Sequence, residues 1–307
     1  MIEEEIPSAL AGDRLDRVVA LLADLSRAQS AALIAGGGVT IDGEPAVAGK
    51  VKLEEGQSIT IDTALLPEKE RPRGDASVRV NVVHADDDVI VVDKQQGLVV
   101  HPGAGNPTGT LVNGLLALYP EIAAVGDPFR PGIVHRLDAG TTGLMVVARS
   151  AEAYESLVDQ LSQRLVHREY VAVAVGTFDA KSGVVDAAIG RDARELTKMA
   201  VRVDGKFART RYAVLREFHE PIIASLVRCE LETGRTHQIR VHLAAVGHPV
   251  LGDATYGGVR STVPFSRPAL HAVRLTFAHP TNGTEMSFEA ALPADIEGLI
   301  SRLSAGD

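Results

Sequence analysis

Three segments carry side chains whose types and spacing suit chemistry. In His135-Arg136-Leu137-Asp138-Ala139-Gly140-Thr141-Thr142-Gly143-Leu144 a guanidinium and a carboxylate stand two positions apart, ahead of a glycine-bounded turn and the apolar run Met145-Val146-Val147-Ala148. A carboxylate there serves either as a base or nucleophile held on rigid backbone, or as a turn closer that accepts from its own nearby N–H groups. The second segment is Arg168-Glu169-Tyr170 and the third Gly234-Arg235-Thr236-His237-Gln238-Ile239-Arg240-Val241-His242-Leu243.

Each has a functional and a plain reading. Tyr170 lies on a predicted strand and shares a face with Ala172 and Ala174, which leaves room for a flat ring to stack; simple packing is the alternative. Arg240 sits beside Ile239 and Leu243 at the edge of an apolar helical stripe, where it reaches inward or stays solvated. Arg235 and Thr236 are expected to begin that helix, where free N–H groups suit a phosphate or an ordinary cap.

Other chemistries fit poorly. His237 and His242 are five apart rather than the four that places two metal ligands on one helical face, so a metal-dependent nuclease is disfavoured. Leu137 breaks the His-Arg-Asp spacing of a kinase, and no Asp-Phe-Gly follows. Gly38 and Gly43 have phosphate-loop spacing, but Glu44 stands where the lysine must be.

The elements that must position these groups come from a chain of 307 residues, 45% hydrophobic, long enough for about two domains. The acidic N-terminus Met1-Ile2-Glu3-Glu4-Glu5 lacks a secretory pattern and no apolar run suits a bilayer, so a cytoplasmic protein without a membrane partner is expected. The single cysteine, Cys229, excludes an internal disulfide and is read as a half-buried strand residue. The net charge of −9 argues against a nucleic-acid partner unless charges are segregated. Between Arg191 and Arg216 eight basic residues face three acidic ones, compatible with a basic face or with a solvated ribbon.

In residues 1–63, Arg14 to Leu22 and a stretch capped by Ser26 and ended by Gly36-Gly37-Gly38 predict two helices. Val39-Thr40-Ile41 and Ser58-Ile59-Thr60-Ile61 predict strands, with Asp42-Gly43 as a hairpin turn. Residues 64–79, rich in charge, Pro and Gly, read as a linker. In residues 80–307, strands are expected at Val80 to Val83, Val89 to Asp93 and Leu98 to Val100. Helices are expected from Thr110 to Leu118, Ala151 to Arg164, His237 to Val246 and Ala294 to Leu303. Without regular strand–helix alternation, this is an α+β domain around a largely antiparallel sheet.

Arg14-Leu15-Asp16, Ser26-Arg27, Leu33-Ile34, Gly38-Val39, Asp42-Gly43 and Gly56-Gln57-Ser58-Ile59 resemble an S4 domain, a small α/β RNA-binding module. The resemblance implies that Arg14, Arg17, Arg27 and Lys50 or Lys52 face RNA. Asp93 to Gly103, His135 to Leu144, Arg168 to Val173, Gly234 to Leu243 and Gly247 to Asp253 together resemble the RluA/RluD family of pseudouridine synthases, within it the branch acting on large-subunit rRNA. That resemblance implies the pseudouridine synthase fold, a mixed, largely antiparallel sheet with flanking helices. It implies a cofactor-free, metal-free isomerisation of uridine in RNA by a monomer, with 23S rRNA or the large ribosomal subunit as partner and tRNA or another rRNA site as alternatives. Asp138 matches the catalytic aspartate, Tyr170 the active-site tyrosine and Arg240 the basic partner of the aspartate. Arg136 matches the residue that fills the gap left by a flipped base, and His135 and Arg235 join the RNA-binding set. Ala139-Gly140 and Arg168 depart from the family pattern, which bears on substrate contacts rather than on the chemistry. A non-catalytic RNA-binding protein on the same fold is the rival that an intact Asp138, Tyr170 and Arg240 set disfavours.

Overall fold

The computed structural model describes residues 1–66, 70–103, 105–195 and 197–306. The chain forms two compact units, Met1–Glu70 and Arg71–Asp307. Among the described residues no single helix is long and apolar enough to cross a membrane.

The first unit contains β1 (Ile2–Glu5), α1 (Leu15–Leu22), α2 (Arg27–Ala35), β2 (Val39–Ile41), β3 (Glu44–Pro45) and β4 (Ser58–Ile61), with sheet order β1-β4-β2-β3. Leu15, Val18 and Val19 of α1 and Leu33 and Ile34 of α2 pack with Val39, Ile59 and Ile61 into one small core. Ser26 caps α2 through a reciprocal pair, its Oγ accepting from Gln29 N–H and the Gln29 side chain accepting from Ser26 N–H. The expected Asp42-Gly43 turn has both residues at positive φ, 51° and 83°, the conformation a two-residue hairpin requires. Strand β1 was not anticipated, because a run of glutamates carries no apolar alternation; the backbone of β4 recruits it.

The second unit contains β5 (Val82–Ala85), β6 (Val89–Lys94), α3 (Leu111–Leu118), β7 (Thr142–Ala148), α4 (Ala151–Ser162), β8 (His167–Val175), β9 (Ser182–Asp186), β10 (Ile189–Arg191) and β11 (Met199–Val201). It continues through β12 (Arg209–Phe218), β13 (Ala224–Leu231), α5 (Gln238–Ala245), β14 (Leu270–Ala278), β15 (Glu285–Glu289) and α6 (Ala294–Ser304). Its main sheet runs β5-β6-β7-β14-β8-β13-β12-β9, with β15 on β14. The β7–β14 pair is parallel, and the other described pairs are antiparallel, so the α+β expectation holds. β7 is buried along its whole length because both faces of the sheet are covered there, which gives the loop before it a rigid base.

Three local readings need correction. Leu98 to Val100 is not a strand: the Val99 and Val100 carbonyls accept the first N–H groups of α3 and the Leu98 carbonyl accepts from Lys94, so this apolar run caps a helix. The latter part of the expected linker belongs to the second unit. Asp75 N–H donates to the Asn113 carbonyl and the Asn113 side chain donates to the Arg73 carbonyl, while residues 67–69 lie outside the described residues. Cys229 is fully buried on β13, between β8 and β12, rather than half-buried.

Candidate active site

The loop before β7 is tied down at consecutive residues. Arg240 Nη1 donates to Asp138 Oδ2 at 2.9 Å, buried Lys94 donates to the Ala139 carbonyl at 3.3 Å, and Arg267 Nη1 donates to the Gly140 carbonyl at 3.0 Å. The turn after Asp138 is closed by its main-chain carbonyl, which accepts from Thr141 N–H, rather than by its side chain, whose carboxylate accepts from Arg240 instead. Burial lowers the Lys94 pKa to about 8, against the pull of Asp138.

Arg240, on the inner face of α5, is shared between two carboxylates. Its Nε and Nη2 grip fully buried Asp253 at 2.6 and 3.0 Å, and the remaining arm reaches Asp138. Its guanidinium also lies 5.1 Å from the centre of the Tyr256 ring. Burial works against the charge, but hydrogen bonding to Asp253 and the two carboxylates outweigh it, and the Arg240 pKa is raised. Asp253 itself takes N–H groups from Thr255 and Tyr256, so the fork is held at its far end by backbone. Asp253 closes the Gly247 to Asp253 motif, and its role depends on a contact across thirteen residues that periodicity does not reveal.

Asp138 and Tyr170 line one cavity of about 600 Å³, with Arg136, Arg164 and Arg168 around it and Arg235 and Phe207 at its edge. That is within the range of cavities that hold small ligands. Tyr170 projects from β8 with Ala172 and Ala174 on its face, as the alternation predicted. Burial, reinforced by the Asp138 charge and opposed by Arg168, pushes its pKa up to about 12. A smaller recess beside Asp138 is lined by Thr141, whose enclosed hydroxyl has no hydrogen-bond partner among the described residues. His237, in left-handed backbone at the start of α5, approaches Asp138 to 3.9 Å and pairs through Nδ1 with the Tyr256 hydroxyl.

The remaining residues fall in different places. Arg136 is exposed at the cavity edge, with Nη1 3.2 Å from His101 Nε2. Arg235 precedes α5 rather than beginning it; the Gln238 side chain folds back onto Arg235 N–H, and Arg235 Nε donates to the Phe207 carbonyl. Of the two readings of that helix start, a phosphate site or an ordinary cap, the Gln238 side chain fits the cap. His135 lines the same cavity. Its Nε2 accepts from Val146 N–H, and burial plus the Arg168 charge drive its pKa down to about 3, so it is a neutral latch between loop and strand. In the first unit Arg14 pairs with Asp16 and Arg17 with Asp13, both exposed, and Arg27 is exposed. Exposed pairs of this kind are worth ~0–1 kcal/mol, so these guanidiniums can exchange partners readily. Much of the basic stretch from Arg191 to Arg216 is also paired, as Arg202 with Asp204 and Arg209 with Asp186.

Comparison with known proteins shows the family. Residues 88–245 match the family described as RNA pseudouridylate synthase, and residues 13–59 match the S4 domain. The chain is 43% identical to the ribosomal large subunit pseudouridine synthase D of Xanthomonas campestris pv. campestris, over 97% of this chain and 91% of the relative. It is also 43% identical to the RNA pseudouridine synthase YlyB of Bacillus subtilis, over 95% and 94%. Among solved structures it is similar to human RNA pseudouridylate synthase domain containing 1, with TM-score 0.57 and 27% identity over 76% of this chain and 98% of that one. With a carboxylate, a buried guanidinium and a tyrosine gathered in one cavity and the family matched over more than half its length, the chain belongs to the RNA pseudouridylate synthases, isomerases that convert uridine in RNA to pseudouridine.

Proposed function

We propose that this protein modifies uridine in 23S rRNA of the large ribosomal subunit and works as a monomer, with Asp138 as the catalytic anion. The reading is carried by the 2.9 Å Asp138–Arg240 pair, with Asp138 lining a cavity that Arg136, Arg164, Arg168 and Arg235 also line. The rRNA assignment is supported by relatives named as large-subunit synthases that align over nearly the whole chain.

A stacked uridine hides its glycosidic bond, and extruding it costs roughly a few kcal/mol. Arg136, exposed beside Asp138, fills the gap left in the RNA. The uracil then stacks on Tyr170, whose hydroxyl stays neutral at working pH and so adds no second negative charge next to Asp138. The N1–C1′ bond breaks, the base turns, and a C5–C1′ bond forms. The C5 proton leaves to water and N1 takes one up, so the product is an isomer. Arg240 supplies the countercharge without approaching the base, because Asp253 holds its other edge. Arg14, Arg17 and Arg27 contact RNA outside the reacting nucleotide.

The test supplies a large-subunit rRNA transcript tritiated at uracil C5 and follows release of label to water. Wild type releases it; Asp138→Asn binds the transcript and releases none. Release by Asp138→Asn at the wild-type rate removes the assignment.

A further inference from the structure

Among the described residues three arginines are buried, and two are matched by carboxylates: Arg240 by Asp138 and Asp253, and Arg267 by Asp295. The third, Arg168 on β8, is 7% exposed. Its guanidinium makes no hydrogen bond or ion pair with a described residue, and its Nε is enclosed without a partner. A buried charge left alone is among the costliest arrangements a fold can keep, and burial depresses the Arg168 pKa accordingly.

The surroundings explain why no internal partner serves. Asp138 and Glu232 are the carboxylates lining this cavity. Asp138 is held by Arg240, and Glu232 is already shared among Arg164, Arg209 and Arg211. His135, whose pKa the Arg168 charge helps to lower, is neutral. Gly234 on the cavity wall leaves space for the guanidinium: a Cβ there would lie 2.8 Å from Arg168 Nη1.

We propose that Arg168 is the receptor for a backbone phosphodiester of the extruded nucleotide. This rests on the uridine-isomerising reading of the same cavity. Arg168 and Tyr170 are two positions apart and share a face of β8, so they stand about 7 Å apart along the strand. A uracil stacked on Tyr170 places its own phosphate one sugar away, toward that guanidinium. RNA offers one full anion per nucleotide, whereas the uracil carbonyls are neutral acceptors and a weaker match for an unpaired charge. The unpaired charge is then a preformed site completed by substrate.

The experiment uses the full chain and the tritiated large-subunit rRNA transcript, with Arg168→Met and Arg168→Lys. Arg168→Met is expected to lose roughly ten- to a hundredfold in affinity for the transcript, the scale of one charge-assisted contact. It should flatten the dependence of log affinity on log salt by about 0.7–0.9, one released counterion. Arg168→Lys restores that slope, because the charge returns without the fork. Arg168→Met should also melt at or above the wild-type temperature, since it removes an uncompensated buried charge. An unchanged salt slope in Arg168→Met overturns the proposal, including where turnover falls, as a contact to a uracil carbonyl would produce. So does a lower melting temperature in Arg168→Met that Arg168→Lys repairs, the mark of a structural arginine. The slope is a binding measurement, so it is read separately from tritium release by wild type, on which the uridine-isomerising reading stands.

Discussion

Replacing Arg240 by methionine separates what the guanidinium does for the fold from what it does for the reaction. The change keeps the apolar stem and strips three charge-assisted bonds, two to Asp253 and one to Asp138. Asp253 is fully buried and would keep only its backbone donors, so the cost is that of an orphaned interior charge, roughly 3–5 kcal/mol. Asp138 has partial solvent access and contributes much less. For a unit of this size 1 kcal/mol moves the melting temperature by about 2–4 °C, so Arg240→Met should melt roughly 6–20 °C lower. Adding Asp253→Asn removes the orphaned charge, and most of that loss should return. Activity should not return, because Asp138 still lacks its cation. Melting curves and tritium release on wild type, the single variant and the double variant give the result. A double variant that regains turnover, or a single variant as stable as wild type, would refute the claim that one guanidinium serves both carboxylates.

Acid should unfold the protein partly through His135. Its pKa falls from 6.5 unfolded to about 3 folded, so its stabilising share is complete above pH 6.5 and is lost as pH drops toward 3, a few kcal/mol on the order-of-magnitude scale. His135→Gln keeps an acceptor for Val146 N–H but cannot titrate, and its stability should fall less steeply over that range; superimposable acid curves would rule this out. Residues 1–70 carry thirteen acidic and six basic side chains, seven of the nine net negative charges. Deleting them should therefore tighten non-specific RNA binding while spreading label release over more uridines, with the single-turnover rate at saturation unchanged. A slower saturated rate in the truncated chain would place part of the chemistry in the first unit.

Local chemistry along the chain made the candidate reacting groups and most of the elements that carry them legible. Ser26 and Thr110 mark helix starts, Asp42-Gly43 marks its turn, and alternation marks the face of β8 that Tyr170 shares with Ala172 and Ala174, because caps, turns and strand periodicity are set within a few residues. Leu98 to Val100 misled because an apolar run says nothing about where its carbonyls are spent. Contacts between distant parts of the chain alone set that Arg240 divides itself between Asp138, 102 positions away, and Asp253, that His135 is neutral, and that Arg168 is buried with no counterion among the described residues. Partnering and charge state follow from desolvation and from groups brought near by distant parts of the chain, and neither is written in any local stretch of residues.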